Sequence, residues 1–203
     1  MTADPTSSTA VVTMDQRKSR DGGDLVERAL ARLNEQLADM IIRPFERTAG
    51  DEMQAVMRPG AWIVDFVLHG ARAQDWWIGI GLGAVDEPLG ESARDSRGEA
   101  FYRARAAVDE AKGKPWGFAL VGPPGTDRVQ RVLLPLAFIV RRRTERQHAA
   151  AELLRRHGSA TAVAQELGLS KSTISESLRG AGAIEDIAGR DLAAELLAEV
   201  GDR

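Results

Sequence analysis

Residues 160–180 read Ala160-Thr-Ala-Val-Ala-Gln-Glu-Leu-Gly-Leu-Ser170-Lys-Ser-Thr-Ile-Ser-Glu-Ser-Leu-Arg-Gly180. The spacing predicts two short helices meeting at an angle. Ala164 is small enough to let them approach, Leu167 and Leu169 are placed to fill the angle, and Gly168 turns the chain. Ser170 stands where it can cap the second helix. On that helix Ile174 and Leu178, four apart, share an inward face. Lys171, Ser172, Thr173, Ser175, Glu176 and Arg179 are left facing outward, a set of small polar and charged groups that suits base edges in a major groove. The pattern is a helix-turn-helix, and its implied partner is duplex DNA. The plainer alternative is a helical hairpin used for packing or for binding protein. The combination of small residue, glycine turn, capping serine and polar outer face weighs against it.

The charge around this stretch is uneven. The 203-residue chain carries a formal charge of −3, which by itself does not favour a polyanion. Between Arg141 and Gly180, however, eight Arg or Lys stand against four Glu, a net of +4. Acids gather beyond it, at Glu185, Asp186, Asp191, Glu195, Glu199 and Asp202. Residues 184–200 read as a last amphipathic helix, with Ile184, Ile187, Leu192, Leu196 and Val200 on one side. That helix is expected to close a small domain or to join a second subunit. His148 and His157 read as surface residues, since neither has a carboxylate or cysteine at metal-site spacing. One weakly positive helix-turn-helix argues for a homodimer that reads half-sites about 34 Å apart.

Upstream of Arg141-Arg142-Arg143 the pattern is mixed. Residues 10–14 predict a strand ending at Asp15. Residues 24–40 predict an amphipathic helix that Asp24 can cap and Pro44 breaks. Two short strands are expected on either side of the turn Ala49-Gly50-Asp51-Glu52. Residues 61–73 form a second apolar helix. In residues 76–85 large side chains alternate with Gly79, Gly81 and Gly83, as in a strand that another backbone approaches closely. A helix is expected over residues 99–112, then strands over 116–121 and 133–140. These elements predict an α+β fold, with helices on one face of a mostly antiparallel sheet, followed by a small all-α region. The boundaries are a disordered tail at residues 1–9, the sheet domain at 10–143 and the DNA-binding domain at 144–203. Trp62, Trp76, Trp77 and Trp116 are read first as core.

Composition excludes several classes. The chain has no cysteine, hence no disulfide framework, thiolate nucleophile or cysteine-bound zinc. Residues 1–10 are polar and lack the apolar stretch of a signal peptide, and no run nears the roughly 20 apolar residues that span a bilayer, so a soluble cytoplasmic protein without a membrane partner is expected.

Asp15 and Asp51 could meet at one sheet edge and hold Mg²⁺, with Lys18, Ser19 and Arg20 in the adjoining loop reaching phosphates. From spacing alone the simpler reading, a turn residue and an exposed strand end, stands ahead of it. Residues 11–20, 45–54, 78–85 and 98–105 resemble the SatD family, small bacterial proteins that often end in a helix-turn-helix, and the resemblance spans most of the chain. More distantly, the sheet domain is similar to the palm-like, ferredoxin-like catalytic domains of class III nucleotide cyclases and diguanylate cyclases, with Asp15 and Gly50-Asp51 at the metal positions. That resemblance implies a site for Mg²⁺ with a nucleotide. The sequence departs from it where cyclases carry a base-recognising lysine, here Phe45, and ribose- and phosphate-binding groups, here Tyr102 and Ala106. Arg103 and Arg105 lie nearby but are expected on other faces. These losses imply a domain that binds a nucleotide or metal effector, or dimerises, rather than an enzyme. The competing reading is a divergent Mg-dependent nucleotidyl cyclase or transferase.

Overall fold

The computed structural model describes residues 8–17 and 24–201. Strand β1 (Thr9–Gln16) leads to helix α1 (Val26–Gln36) and a 3-10 turn (Ala38–Met40). A hairpin of β2 (Ile41–Ala49) and β3 (Glu52–Met57) precedes α2 (Trp62–Ala73), β4 (Trp76–Gly83), α3 (Glu99–Lys112), β5 (Phe118–Val121) and α4 (Thr126–Arg142). The chain then turns wholly helical: α5 (Glu145–His157), α6 (Ala160–Leu167), α7 (Lys171–Gly180) and α8 (Ala183–Gly201). The expected architecture is thus present, a sheet interleaved with helices followed by an all-helical region. The tail expected at residues 1–9 lies outside the described residues except for Ser8 and Thr9, and Thr9 already belongs to β1.

The five strands are ordered β2-β3-β1-β4-β5. All pairs are antiparallel except β4 with β5. Along β1 the side chains alternate. Ala10, Val12 and Met14 enter the main core with residues of α1, α2, α4 and α8, while Val11 joins Val56 on the opposite face under α3. Helices therefore cover both faces, where one was expected. The cause lies in β4 and α3 together. A Cβ on Gly79 would fall 2.2 Å from the Val108 nitrogen, and one on Gly81 2.1 Å from the Ala100 oxygen. The facing side of α3 is Ala100, Ala104, Ala107 and Ala111, all buried, so two nearly bare backbones pack face to face. The close approach that the glycines signalled is that of a helix.

The strand expected over residues 133–140 is instead the second half of α4. An unbroken apolar run has no period of its own. The buried set Val129, Leu133, Leu136, Ala137 and Val140 recurs at helical spacing once the upstream turn is included. Pro44 does not end an element either. It sits inside β2, an edge strand with irregular register on both sides of it, where a missing N–H is tolerated. The ladder is made good there from α1: Asn34 Oδ1 accepts from the Phe45 N–H at 2.7 Å and its Nδ2 donates to the Phe45 carbonyl at 3.0 Å.

α8 shows the expected face in part: Leu196 and Val200 are buried, and Ile187 packs against the core of the preceding helices. Ile184 and Leu192 are exposed, while Asp186, Arg190, Ala193, Leu197 and Val200 are buried with Leu196. An inward-facing charge pair in its first half accounts for the difference. Asp186 accepts from Arg190 Nε at 2.7 Å and contacts Arg143 Nη2 at 2.9 Å. The start of α8 closes the core of α5, α6 and α7, and its second half packs into the core of the sheet domain. Among the described residues no helix is long and apolar enough to cross a membrane.

Replacing Gly81 by alanine sets a methyl group against the backbone of α3, which can yield only by moving as a unit. Equilibrium unfolding in denaturant is expected to show a loss of about 1–3 kcal/mol or more, whereas Gly50→Ala, whose Cβ would meet nothing within 4 Å, pays only for its positive φ.

Candidate nucleic-acid interface

Each turn of the helical region has a local cause. Thr144 and Gln147 form a capping box at the start of α5, and Gly158, at φ 65°, ends it. Gly168, at φ 63°, ends α6, and the Leu169 N–H returns to the Ala164 carbonyl at 3.0 Å. Ser170 Oγ accepts from the Thr173 N–H at 3.1 Å and so caps α7. Val163, Ala164, Ile174 and Leu178 pack together with Ala150, Ala151, Leu153 and Leu154 of α5. Lys171, Ser172, Thr173, Ser175, Glu176 and Arg179 are all exposed. Leu167 and Leu169 do not fill the angle between the helices: they are 38% and 49% exposed, because Val163, Ala164 and α5 already occupy it.

The positive charge read from the sequence divides into two kinds. Arg143 is buried against Asp186, and Arg155 pairs with Asp65 and Glu152. Arg141 donates to the Pro115 carbonyl and Gln74, and Arg142 lies 5.1 Å over the Phe138 ring. Arg141, Arg143 and Arg155 hold parts of the fold together, while Arg142 is exposed. Arg146, Arg156, Lys171 and Arg179 are exposed and have no acidic partner among the described residues. They are the charges available to phosphates. His157 Nε2 lies 2.5 Å from Glu166 and ties α5 to α6. His148 is half-buried, and burial, then Arg72, hold its imidazole below the usual range.

At the end of β1 the strand and the hairpin turn lie side by side, but the bond between them is to the Asp51 backbone and the neighbouring carboxylate is that of Glu52. Asp15 faces Glu52 across β1 and β3, and the Gln16 N–H donates to the Asp51 carbonyl at 3.3 Å. Their surroundings were not foreseen. Lys112 Nζ stands 2.7 Å from Asp15, and Glu52 is held by Arg105 and by the Thr48 hydroxyl at 2.8 Å. Arg105 thus turns toward the hairpin, contrary to expectation, while Arg103 pairs with Glu99 and donates to the Leu82 carbonyl at 2.7 Å. Arg105, Asp109 and Lys112, at positions i, i+4 and i+7 of α3, were the legible sign of this charged face. Lys18, Ser19 and Arg20 lie outside the described residues.

Asp15, one of the two expected metal ligands, is engaged by the chain's own lysine. Among the described residues no three His, Cys, Asp or Glu side chains come together as ligands. The ammonium of Lys112 already balances Asp15, and Glu52 is taken up by Arg105. Comparison with protein-family models, curated proteins and solved structures returns no match.

His148 and His69 are both held below the ordinary imidazole range, in each case first by burial. Both favour the neutral form in the fold, so the stability they contribute is present above about pH 6.5 and is lost as the pH falls and the unfolded chain takes up protons. The melting temperature is expected to drop between pH 7.5 and 5.5, and His148→Gln to drop less over the same interval.

Proposed function

We propose that this protein is a cytoplasmic, DNA-binding transcriptional regulator whose α6 and α7 read duplex DNA. One observation carries the reading. Every polar residue expected on the outer face of α7 is exposed, while Ile174 and Leu178 are buried beneath them. Helices that pack a core on all sides, or that bury a polar face, do not leave such a surface. Lys171, Ser172 and Thr173 lie at the N-terminal end that enters the groove in this motif, and Arg179 comes two turns later. Arg146 and Arg156, on α5, are suited to phosphate contacts that set register without reading sequence.

The sheet domain acts in this reading as the framework and the site of assembly or control. The ion pairs at Asp15 and Glu52 support a scaffold rather than a nucleotidyl-transfer site, since a Mg²⁺ would have to displace the chain's own lysine and arginine from these carboxylates. The likeness to the SatD family is in keeping with a helix-turn-helix at this end of the chain. The reading includes a homodimer, which supplies two recognition helices to two half-sites.

Selection from a pool of random duplexes, followed by retention assays on the full chain, tests the proposal. A selected site is expected, with Arg179→Ala weakening it by about 1–3 kcal/mol if the guanidinium meets a guanine edge. Arg156→Ala should weaken all sequences alike and flatten the salt dependence. Light scattering should report two copies on the selected duplex. Equal retention of selected and scrambled duplexes by the wild type and Arg179→Ala would remove the proposal.

A further inference from the structure

A cleft of about 490 Å³ opens between α1 and α2, floored by Met14, Trp76 and Ile78 of the sheet. Its size lies within the range of small-molecule sites. One wall is aromatic: the Trp62 and Phe66 rings meet edge-on at 5.7 Å between centroids, and Trp76 faces the same space. Flat apolar groups gain most from such a wall.

The charges around the cleft do not cancel locally. Asp65, on its rim, accepts from Arg155 at 2.7 and 2.8 Å and from Arg190. Asp75, also on the rim, has Arg17 as a cationic neighbour. Arg32 has no acidic partner among the described residues. Its Nε donates to Gln36 Oε1 at 3.2 Å and its Nη2 stands 3.1 Å from His69 Nε2. A guanidinium only donates, so the His69 ring nitrogen is the acceptor of that bond, and partial burial, then Arg32, hold the imidazole below its usual range. The cleft thus offers aromatic surface and one uncompensated cation.

We propose that this cleft binds a planar, largely apolar molecule carrying one negative charge, of the aromatic carboxylate kind, and that its occupancy is passed to the helix-turn-helix through Asp65. From the rim, Asp65 is bonded to the helices beyond Arg143, through Arg155 of α5 and Arg190 of α8. A ligand that shifts its carboxylate alters the seating of α5, on which α6 and α7 are packed. This second half rests on the DNA-binding reading, and the first does not.

The probe is 2-naphthoate, with 2-naphthol as its uncharged counterpart, titrated calorimetrically into the full chain. Naphthoate is expected to bind with a Kd below about 1 mM, at least tenfold tighter than naphthol. Arg32→Gln should remove that preference, and Ala29→Phe, which fills the cleft from α1, should abolish binding of both while thermal melting stays cooperative. On the duplex selected for the wild type, saturating naphthoate should change affinity by about fivefold or more, and Arg155→Gln should bind naphthoate normally yet lose the response. Absence of naphthoate binding, or binding untouched by Ala29→Phe or by Arg32→Gln, overturns the site. Binding that leaves DNA affinity unchanged overturns the coupling alone. If no duplex is retained, the DNA-binding reading and the coupling fall together, while the calorimetric result still decides the site.

Discussion

Asp186 has no exposure to water and carries its charge between two guanidinium groups, and the arrangement of the helical region depends on it. A carboxylate taken out of water costs several kcal/mol unless its partners are equally fixed, and losing one of them costs about 3–5 kcal/mol. Arg143 is fixed from the other side by its Nε bond to the Ala181 carbonyl at 2.9 Å, at the exit of α7. Arg190 continues the chain of charge to Asp65 on α2, and Asp65 to Arg155 on α5. Arg72 of α2 adds bonds to the carbonyls of Val140 and Arg143 at 3.1 and 3.0 Å, at the end of α4. The helices beyond Arg143 are thereby held against the sheet domain at several points. A break after Arg143 divides the chain by pattern, yet α8 crosses it and contributes to both cores.

What could be read from the sequence was whatever depends on local chemistry. Gly168 and Ser170 act through bonds to residues within a few positions, so the turn and cap of the helix-turn-helix were legible. The glycines of β4 announced a close backbone, though whether helix or strand was a tertiary matter. Misreadings arose where a distant partner decides. Residues 133–140 are apolar without interruption, and their packing against α8, α2 and β5 accompanies the helix. The inner face of α8 was read only in part because its first half turns an aspartate and an arginine inward, whose partners Arg143 and Asp65 lie just past α4 and on α2. Leu167 and Leu169 were expected inside because leucines usually are, but α5 had already filled the space.

The carboxylate end differs from the sequence expectation for a related reason. Asp15 and the Gly50-Asp51 turn were correctly anticipated to be neighbours, since a hairpin after a helix returns beside the first strand. The cations that meet them come from α3, more than fifty residues later, and no spacing rule links the two. Arg105, Asp109 and Lys112 share one helical face, but nothing in their spacing says which strand end that face will meet. With those cations present, the end of β1 is a latch between the sheet and α3: Lys112 bonds the strand, and Arg105 bonds the hairpin.

Pro44 and its surrounding irregularity have a bearing on how copies of the chain can meet. β2 is one margin of the sheet, and its backbone there is bulged and partly spoken for by Asn34. The opposite margin, β5, is only four residues long. Its Leu120 N–H is taken by Gln130 at 2.8 Å, and its Phe118 carbonyl accepts from the Trp116 indole at 3.0 Å. Both margins are blunted by these bonds. A further strand would have to displace them before it could extend the sheet, so the same irregularity that interrupts β2 guards the chain against edge-to-edge aggregation.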